Sequence, residues 1–276
     1  MANILDKIIS DKLDEVQRRK AERPIELLKD ECAELPKCRN FYKAVTKPNK
    51  RGLNVIAEVK KASPSAGLIR EDFDPVEIAG TYQKCGADAI SVLTDEKYFQ
   101  GRLEYVARIK AAVDLPILRK DFFIDQYQLY EARAAGADAV LLIAEALRPA
   151  DLMDMLILAR KLSMTTIIEV HDADSLLAVR SLAGFPQKGY TILGINNRDL
   201  ATMTVDINNT ARLAEFVDNR AELIAESGIR TRDDVQHLKS IGVGAVLIGQ
   251  TLCESESIEQ KFNELFSVGS SPPDNL

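Results

Sequence analysis

The feature that most constrains this chain is a glycine that returns at nearly constant spacing ahead of a short apolar run. Cys85-Gly86-Ala87-Asp88-Ala89-Ile90-Ser91-Val92-Leu93 is echoed by Ala135-Gly136-Ala137-Asp138-Ala139-Val140-Leu141-Leu142-Ile143 and by Ile241-Gly242-Val243-Gly244-Ala245-Val246-Leu247-Ile248-Gly249. Lys188-Gly189-Tyr190-Thr191-Ile192-Leu193-Gly194-Ile195-Asn196 fits the same series. The glycines then fall at 86, 136, 189 and 242, in steps of 50, 53 and 53 residues. A glycine that ends a helix and admits a buried strand accounts for each copy. The period is too long for one strand-helix unit and suits two.

The intervening strands appear where that period requires them: Leu53 to Lys60, Pro116 to Lys120, Thr165 to Val170, and Ala221 to Glu226. Helical stretches such as Asp74 to Lys84, Ile124 to Ala135 and Thr231 to Ser240 separate the strands. Short Val/Ile/Leu strands alternating with helices predict a parallel sheet covered by helices. Eight such units in a chain of 276 residues predict an α/β protein, a single (β/α)8 TIM barrel with an N-terminal helical extension. An open, doubly wound sheet is the alternative, but no Gly-x-Gly-x-x-Gly follows any strand. Residues 1–48 are expected to form the helical extension, packed on the barrel mouth. Ile4, Leu5, Ile8, Leu13 and Val16 would make one apolar face, with Pro24, Pro36 and Pro48 as punctuation. Residues 49–266 form the barrel, and 267–276, with Ser270-Ser271-Pro272-Pro273, read as a disordered tail.

Composition excludes several classes. The longest uninterrupted apolar run, Ala139 to Ala144, is far short of the roughly 20 residues that span a bilayer. Met1 to Ser10 alternates apolar and charged residues, which is not the pattern of a secretory signal. A formal charge of −6, from 36 Lys and Arg against 42 Asp and Glu, disfavours a polyanion partner while leaving room for a local phosphate site. No nucleic acid or membrane partner is expected. Cys32, Cys38, Cys85 and Cys253 lack CxxC spacing and clustered His, which argues against zinc and disulfides and for a reduced, cytoplasmic protein. No metal and no cofactor are expected.

In a barrel of this kind the active site lies at the C-terminal ends of the strands. Strand one ends Glu58-Val59-Lys60, and alternation puts Glu58 and Lys60 on one face. Strand three ends at Lys120, strand five at Glu169, strand six at Asn196 and strand seven at Glu226. Unpaired carboxylates are rarely buried, so their convergence on one rim points to acids, bases and oxyanion donors acting together. Gly228 and Gly249 follow the last two strands, where bare backbone N–H groups at helix starts would receive an anion. The small-residue stretch Lys60 to Leu68 reads as a mobile lid. His171 and His237 carry little signal.

These strand ends are recognisable. Ile56-Ala57-Glu58-Val59-Lys60-Lys61-Ala62-Ser63-Pro64-Ser65 with Gly67, Val92-Leu93-Thr94-Asp95 with Tyr98-Phe99-Gln100-Gly101, and Leu118-Arg119-Lys120-Asp121-Phe122 resemble indole-3-glycerol phosphate synthase. So do Glu169-Val170-His171, Gly194-Ile195-Asn196-Asn197-Arg198-Asp199-Leu200, Ala225-Glu226-Ser227-Gly228-Ile229 and Leu247-Ile248-Gly249. The resemblance runs from the Ile4-Leu5 helix to about Leu252. It implies a cofactor-independent lyase of tryptophan biosynthesis. Such an enzyme converts 1-(2-carboxyphenylamino)-1-deoxyribulose 5-phosphate into indole-3-glycerol phosphate with loss of carbon dioxide and water.

By that resemblance Lys120 is the general acid and Glu169 its partner in proton transfer. Glu58, Lys60, Asn196 and Glu226 complete the catalytic set. Ser63, Ser227, Gly228 and Gly249 contact substrate or phosphate, Arg198 lies near the substrate, and Phe122 walls the anthranilate ring. The family's extra N-terminal helices, which cover the barrel mouth, match residues 1–48. Gln250 stands where several relatives have serine, so a hydroxyl contact to phosphate is lost there while the backbone contact survives. Leu252-Cys253-Glu254 lacks the usual methionine, and no second barrel is expected to be fused behind this one. The competing readings are a phosphoribosylanthranilate isomerase, which would end strand one in Cys or Asp rather than Glu58, and a non-enzymatic binding module, which would lose the rim charges. The expected state is a monomer or weak homo-oligomer acting on a small phosphorylated molecule.

Overall fold

A computed structural model describes residues 4–182, 187–199 and 202–267. Among these, eight parallel strands close into a barrel in sequential order: β1 (Asn54–Val59), β2 (Ala89–Leu93), β3 (Ile117–Lys120), β4 (Ala139–Ile143), β5 (Thr165–Val170), β6 (Thr191–Asn196), β7 (Leu223–Glu226) and β8 (Ala245–Ile248). β8 returns to β1 with Asn54 opposite Ala245 and Ala57 opposite Ile248, which removes both sheet edges. The expected tail at 267–276 lies, from residue 268 onward, outside the described residues.

Alternation along each strand makes two cores. Ile56, Leu118, Ile167, Ile192, Ile224 and Leu247 fill the barrel, whereas Val55, Ala57, Val59, Ile90, Ile168 and Ile195 face the helical layer. The repeating glycines are left-handed at Gly86, Gly136, Gly189 and Gly242, with φ between 83° and 92°. Three of them follow or cap a helix, and Gly189 sits in a turn. The aspartates of the repeat staple the barrel floor. Asp88 Oδ2 accepts from Val55 N at 2.9 Å, and Asp138 Oδ2 from Ile117 N at 2.9 Å, tying each unit to the strand before it.

The N-terminal extension does more than cover the mouth. Helices α1 (Ile4–Glu22), α2 (Ile25–Glu34) and α3 (Phe41–Thr46) wrap the barrel from one end to the other. The start of α1 reaches the C-terminal rim, and α2 packs on the helix Gln126–Ala134. α3 then closes the floor, where Phe41 and Val45 join the barrel interior and Asn54 Nδ2 donates to Val45 O at 2.9 Å. The buried face of α1 is Leu5, Ile8, Lys12 and Val16, while Leu13 is 53% exposed. Leu13 therefore does not belong to the predicted apolar stripe. Residues 5, 8, 12 and 16 lie along one side of a helix, and the position facing the barrel is taken by a lysine because acidic partners await it there.

The Lys60 to Leu68 stretch is a small hairpin, with Ala62–Ser63 antiparallel to Gly67–Leu68 and Ala66 N donating to Ser63 Oγ at 3.2 Å.

Candidate active site

Strand polarity brings the inward residue at the end of nearly every strand to one rim. All twelve residues singled out from the sequence line a single cavity there: Glu58, Lys60, Ser63, Lys120, Phe122, Glu169, Asn196, Arg198, Glu226, Ser227, Gly228 and Gly249. Ile4, Leu5 and Ile8 of α1 line it as well, so the extension forms part of the site wall. Phe122 meets Phe99 at 6.1 Å between ring centroids and, with Leu93 and Leu141, makes an apolar wall suited to an aromatic ring.

Lys120 is the hub. Its Nζ lies 3.0 Å from Glu169 Oε2 and 3.3 Å from Glu226 Oε2, joining β3 to β5 and β7 across the barrel. Both carboxylates are 2% exposed. Burial opposes the ammonium charge, but Glu169, Glu226 and Glu58 together hold Lys120 well above its ordinary value, so it stays protonated. Burial likewise opposes charge on Glu169, yet Lys120 and His171 hold it well below the usual carboxylate range. Glu226 behaves in the opposite way. Burial, reinforced by the Glu169 charge, pushes it up to about 8 despite Lys120. One proton between two buried carboxyls is the expected state of such a pair.

The remaining polar groups hold this centre in register. Asn196 Nδ2 donates to Glu169 Oε1 at 3.2 Å, and Asn196 Oδ1 accepts from Arg198 N at 2.9 Å. Lys60 Nζ pairs with Glu58 Oε1 at 2.7 Å, as the strand-one alternation predicts. Asn197 points to the helical layer and holds the end of β7, donating to Ser227 O at 3.1 Å while accepting from Thr210 Oγ1 at 2.8 Å. Ser227 is left-handed at φ 67°, a conformation unusual for a residue with a side chain and one often retained at functional sites.

The two glycines differ in how they stand to the helix starts expected beside them. Gly249, at φ −131°, caps only a four-residue helix, and a Cβ there would run into Glu58, 2.9 Å from the Glu58 Cβ. Its lack of a side chain makes room for the Glu58 carboxylate. Gly228 is left-handed at φ 81° but does not open a helix. The helix Arg232–Ile241 starts beyond it and is capped by Thr231, with Asp234 already receiving Arg230 N at 2.9 Å and Thr231 N at 2.8 Å. That helix start is thus occupied by its own carboxylate, and an anion at Gly228 would meet the turn instead.

Two side chains passed over in the sequence belong here. Arg230 lines the cavity and repels Arg198, whose guanidinium is also disfavoured by burial. His171, one residue pair beyond the inward Glu169, lies between Glu169 and Glu145. Its period-two offset from Glu169 was the available signal. Among the described residues no group of three or more His, Cys, Asp or Glu side chains is arranged to hold a metal, and no helix is long and apolar enough to cross a membrane.

A closed (β/α)8 barrel with a lysine and a split carboxyl pair at the C-terminal rim defines a barrel enzyme built for general acid-base chemistry. Its fold has solved counterparts, among them 3-hexulose-6-phosphate synthase (TM-score 0.61, 13% identity, 77% of this chain and 98% of that one). A tryptophan synthase a2b2 complex from Pyrococcus furiosus also matches (TM-score 0.54, 15% identity, 78% and 97% covered). Residues 5–265 match the family model of indole-3-glycerol phosphate synthase. The chain is 46% identical over 255 residues to the indole-3-glycerol phosphate synthase of Rhodopirellula baltica, covering 92% of this chain and 95% of that protein. It is 44% identical over 269 residues to that of Dehalococcoides mccartyi, covering 95% and 99%. The chain belongs to the indole-3-glycerol phosphate synthase family. Membership does not favour the isomerase alternative.

Proposed function

We propose that this chain carries out its family's reaction, the carboxy-lyase step of tryptophan biosynthesis that makes indole-3-glycerol phosphate, and that the twelve rim residues divide the work. The observation that carries this reading is Lys120 Nζ set 3.0 and 3.3 Å from the buried carboxyls of Glu169 and Glu226, beside an apolar wall. The substrate, 1-(2-carboxyphenylamino)-1-deoxyribulose 5-phosphate, lays its ring against Phe122. Lys120 delivers a proton to the ribulose carbonyl oxygen as the carboxylate-bearing ring carbon attacks that carbonyl carbon. Loss of carbon dioxide then restores the aromatic ring. In the last step the new hydroxyl leaves as water with a proton from neutral Glu226, and Glu169 takes the proton from the adjacent methylene, completing the indole.

Asn196 keeps Glu169 in place, and the Glu58-Lys60 pair sets the position of the lysine beside the anionic part of the substrate. Ser63, Gly228 and Gly249, with Lys60, receive the phosphate, while Arg198 and Ser227 contact the rest of the substrate. The lid is the hairpin that carries Ser63. With this reading goes a chain organised as one barrel with its extension, acting in the cytoplasm as a monomer or weak homo-oligomer without metal or cofactor; its four cysteines are free thiols. Purified protein given synthetic substrate should generate indole fluorescence, and activity should survive exhaustive dialysis against chelator. Absence of indole product, or loss of activity that a divalent ion restores, overturns the reading.

A further inference from the structure

Lys120 does not by itself decide which of its two carboxylates is ionised, because its Nζ is nearly equidistant from them, at 3.0 and 3.3 Å. The asymmetry comes from behind. Glu169 Oε1 has Asn196 Nδ2 at 3.2 Å and His171 Nε2 at 3.3 Å, both on the side away from Lys120's contact with Oε2. Glu226 has no such support. Its Oε1 is buried without a hydrogen-bond partner and lies against the backbone of Gly194, where an added Cβ would come within 2.6 Å of it.

His171 is itself clamped. Glu145, in the turn after β4, accepts from His171 N at 2.9 Å through Oε1 and faces His171 Nδ1 at 3.1 Å through Oε2. Asn209 Nδ2 holds the His171 carbonyl at 2.9 Å. The side chain is 11% exposed. The ionisable groups that act on the imidazole are Glu145 and Glu169 on its two sides, Asp172 next in the chain, and Lys120 through Glu169. The Nε2 contact is an ion-pair distance without the alignment of a hydrogen bond, so its influence on Glu169 is chiefly that of charge.

We propose that His171, held by Glu145, is a positioning residue that places the negative charge of the buried carboxyl pair on Glu169 and thereby leaves the proton on Glu226. It makes one member of the pair the base and the other the acid. The inference deepens the reading above and rests on it for the roles of Glu169 and Glu226. Carboxylates on both sides push the imidazole up to about 10 against the cost of burial, so it is an imidazolium throughout the physiological range. An opposite charge a few ångströms from a carboxylate lowers its pKa by about one to three units. Glu145 is needed because an imidazolium with only one carboxylate neighbour would lose its proton more readily at the same burial.

The test is a ¹³C titration of the glutamate carboxyls in the full-length protein, run beside the pH profile of kcat/KM, for wild type, His171→Asn and Glu145→Gln. With His171→Asn both apparent pKa values of the Glu169/Glu226 pair should rise, the lower one by about one to three units, and the acid limb of kcat/KM should follow it. The loss should fall on kcat with KM within about threefold of wild type. Glu145→Gln, which keeps the imidazole and should fold even where His171→Asn does not, should move the same values in the same direction by less. Carboxyl titrations that are unchanged in both variants overturn the proposal, as does a fall in activity that is uniform across pH. Because the titration is read from the carboxyls, it is independent of whether the wild type makes indole; lack of product with the predicted shifts would instead fail the functional reading alone.

Discussion

Three consecutive residues, Arg119, Lys120 and Asp121, enter two buried ionic clusters that differ in almost every respect. Arg119 and Asp121 turn toward the helical layer, where Asp121 meets Arg119 at 2.9 Å and Lys12 of α1 at 2.9 Å. Lys12 also reaches Asp95 at 2.9 Å, and Arg119 reaches Glu131 at 2.8 Å. Lys120 points into the barrel, where Glu58 Oε2 and Glu226 Oε1 are left without hydrogen-bond partners. In the outer cluster each carboxylate lies at ion-pair distance from a cation, although Glu131 Oε2 has no aligned hydrogen bond, and the cluster fastens α1 to the barrel. The inner cluster keeps acceptors in reserve at the wall of a cavity, which is costly for stability and useful for chemistry. Charge burial alone therefore does not set the two clusters apart; the inner one differs in opening on the cavity at the barrel mouth.

The sharpest way to break this contrast is to delete one cation from each side. Lys120→Ala should leave circular dichroism close to wild type while lowering kcat by about 10² to 10⁴, the range expected for a positioned acid. Activity within a few-fold of wild type would remove Lys120 from the chemistry. Lys12→Met should do the reverse in kind, costing about 3 to 5 kcal/mol in denaturant unfolding because Asp95 and Asp121 are left buried without their partner. An unchanged unfolding midpoint would show that α1 is held by its apolar contacts alone.

Gly249→Ala tests the cavity wall. The new Cβ must displace Glu58, and with it the Glu58-Lys60 pair, so KM should rise about ten- to a hundredfold, the loss of one charge-assisted contact. A Gly249→Ala enzyme with wild-type KM would mean that Glu58 can move without consequence for the anion.

The smallest effects are in pH dependence, where the clusters should respond at opposite ends of the scale. Asp121 is held far below its unfolded value of 3.8 by Lys12 and Arg119 in spite of burial, so its contribution to stability is present above about pH 4 and is lost as pH falls further. Glu226 is raised from 4.5 to about 8, so the stability that its protonated form contributes is full below pH 4.5 and is lost as pH rises toward 8. The same ionisation should give kcat/KM a falling limb near pH 8. Glu226→Gln should flatten the stability loss between pH 4.5 and 8 and abolish that limb at reduced activity, as followed by urea titrations and indole fluorescence. A limb that persists in Glu226→Gln would have to be assigned to another group.

Much of this arrangement was legible before any coordinates. The glycine period predicted paired strand-helix units, alternation put Glu58 and Lys60 on one face, and the polar ends of strands three, five, six and seven put Lys120, Glu169, Asn196 and Glu226 on one rim, because the pleat and polarity of a strand are local properties. The element boundaries moved by only a residue or two, as where Asp74 and Thr231 proved to be caps of helices beginning at Pro75 and Arg232. Lys12 was not legible, and His171 offered only its two-residue offset from Glu169. A lysine in an amphipathic stripe and a lone histidine past a strand look like surface residues until the elements that oppose them are known.

The amino-acid order by itself determined a barrel, its polarity and which side chains enter its mouth, since each follows from periods of two residues, of a helical turn or of about fifty. Only the tertiary structure decided what those side chains are. Lys120 finds Glu169 and Glu226 at separations of 49 and 106 residues, and Glu226 is pushed up to about 8 because burial and a second carboxylate disfavour its charge. Protonation depends on distances across the closed barrel and on the water excluded from it, and neither quantity exists in a chain until the first strand has met the eighth.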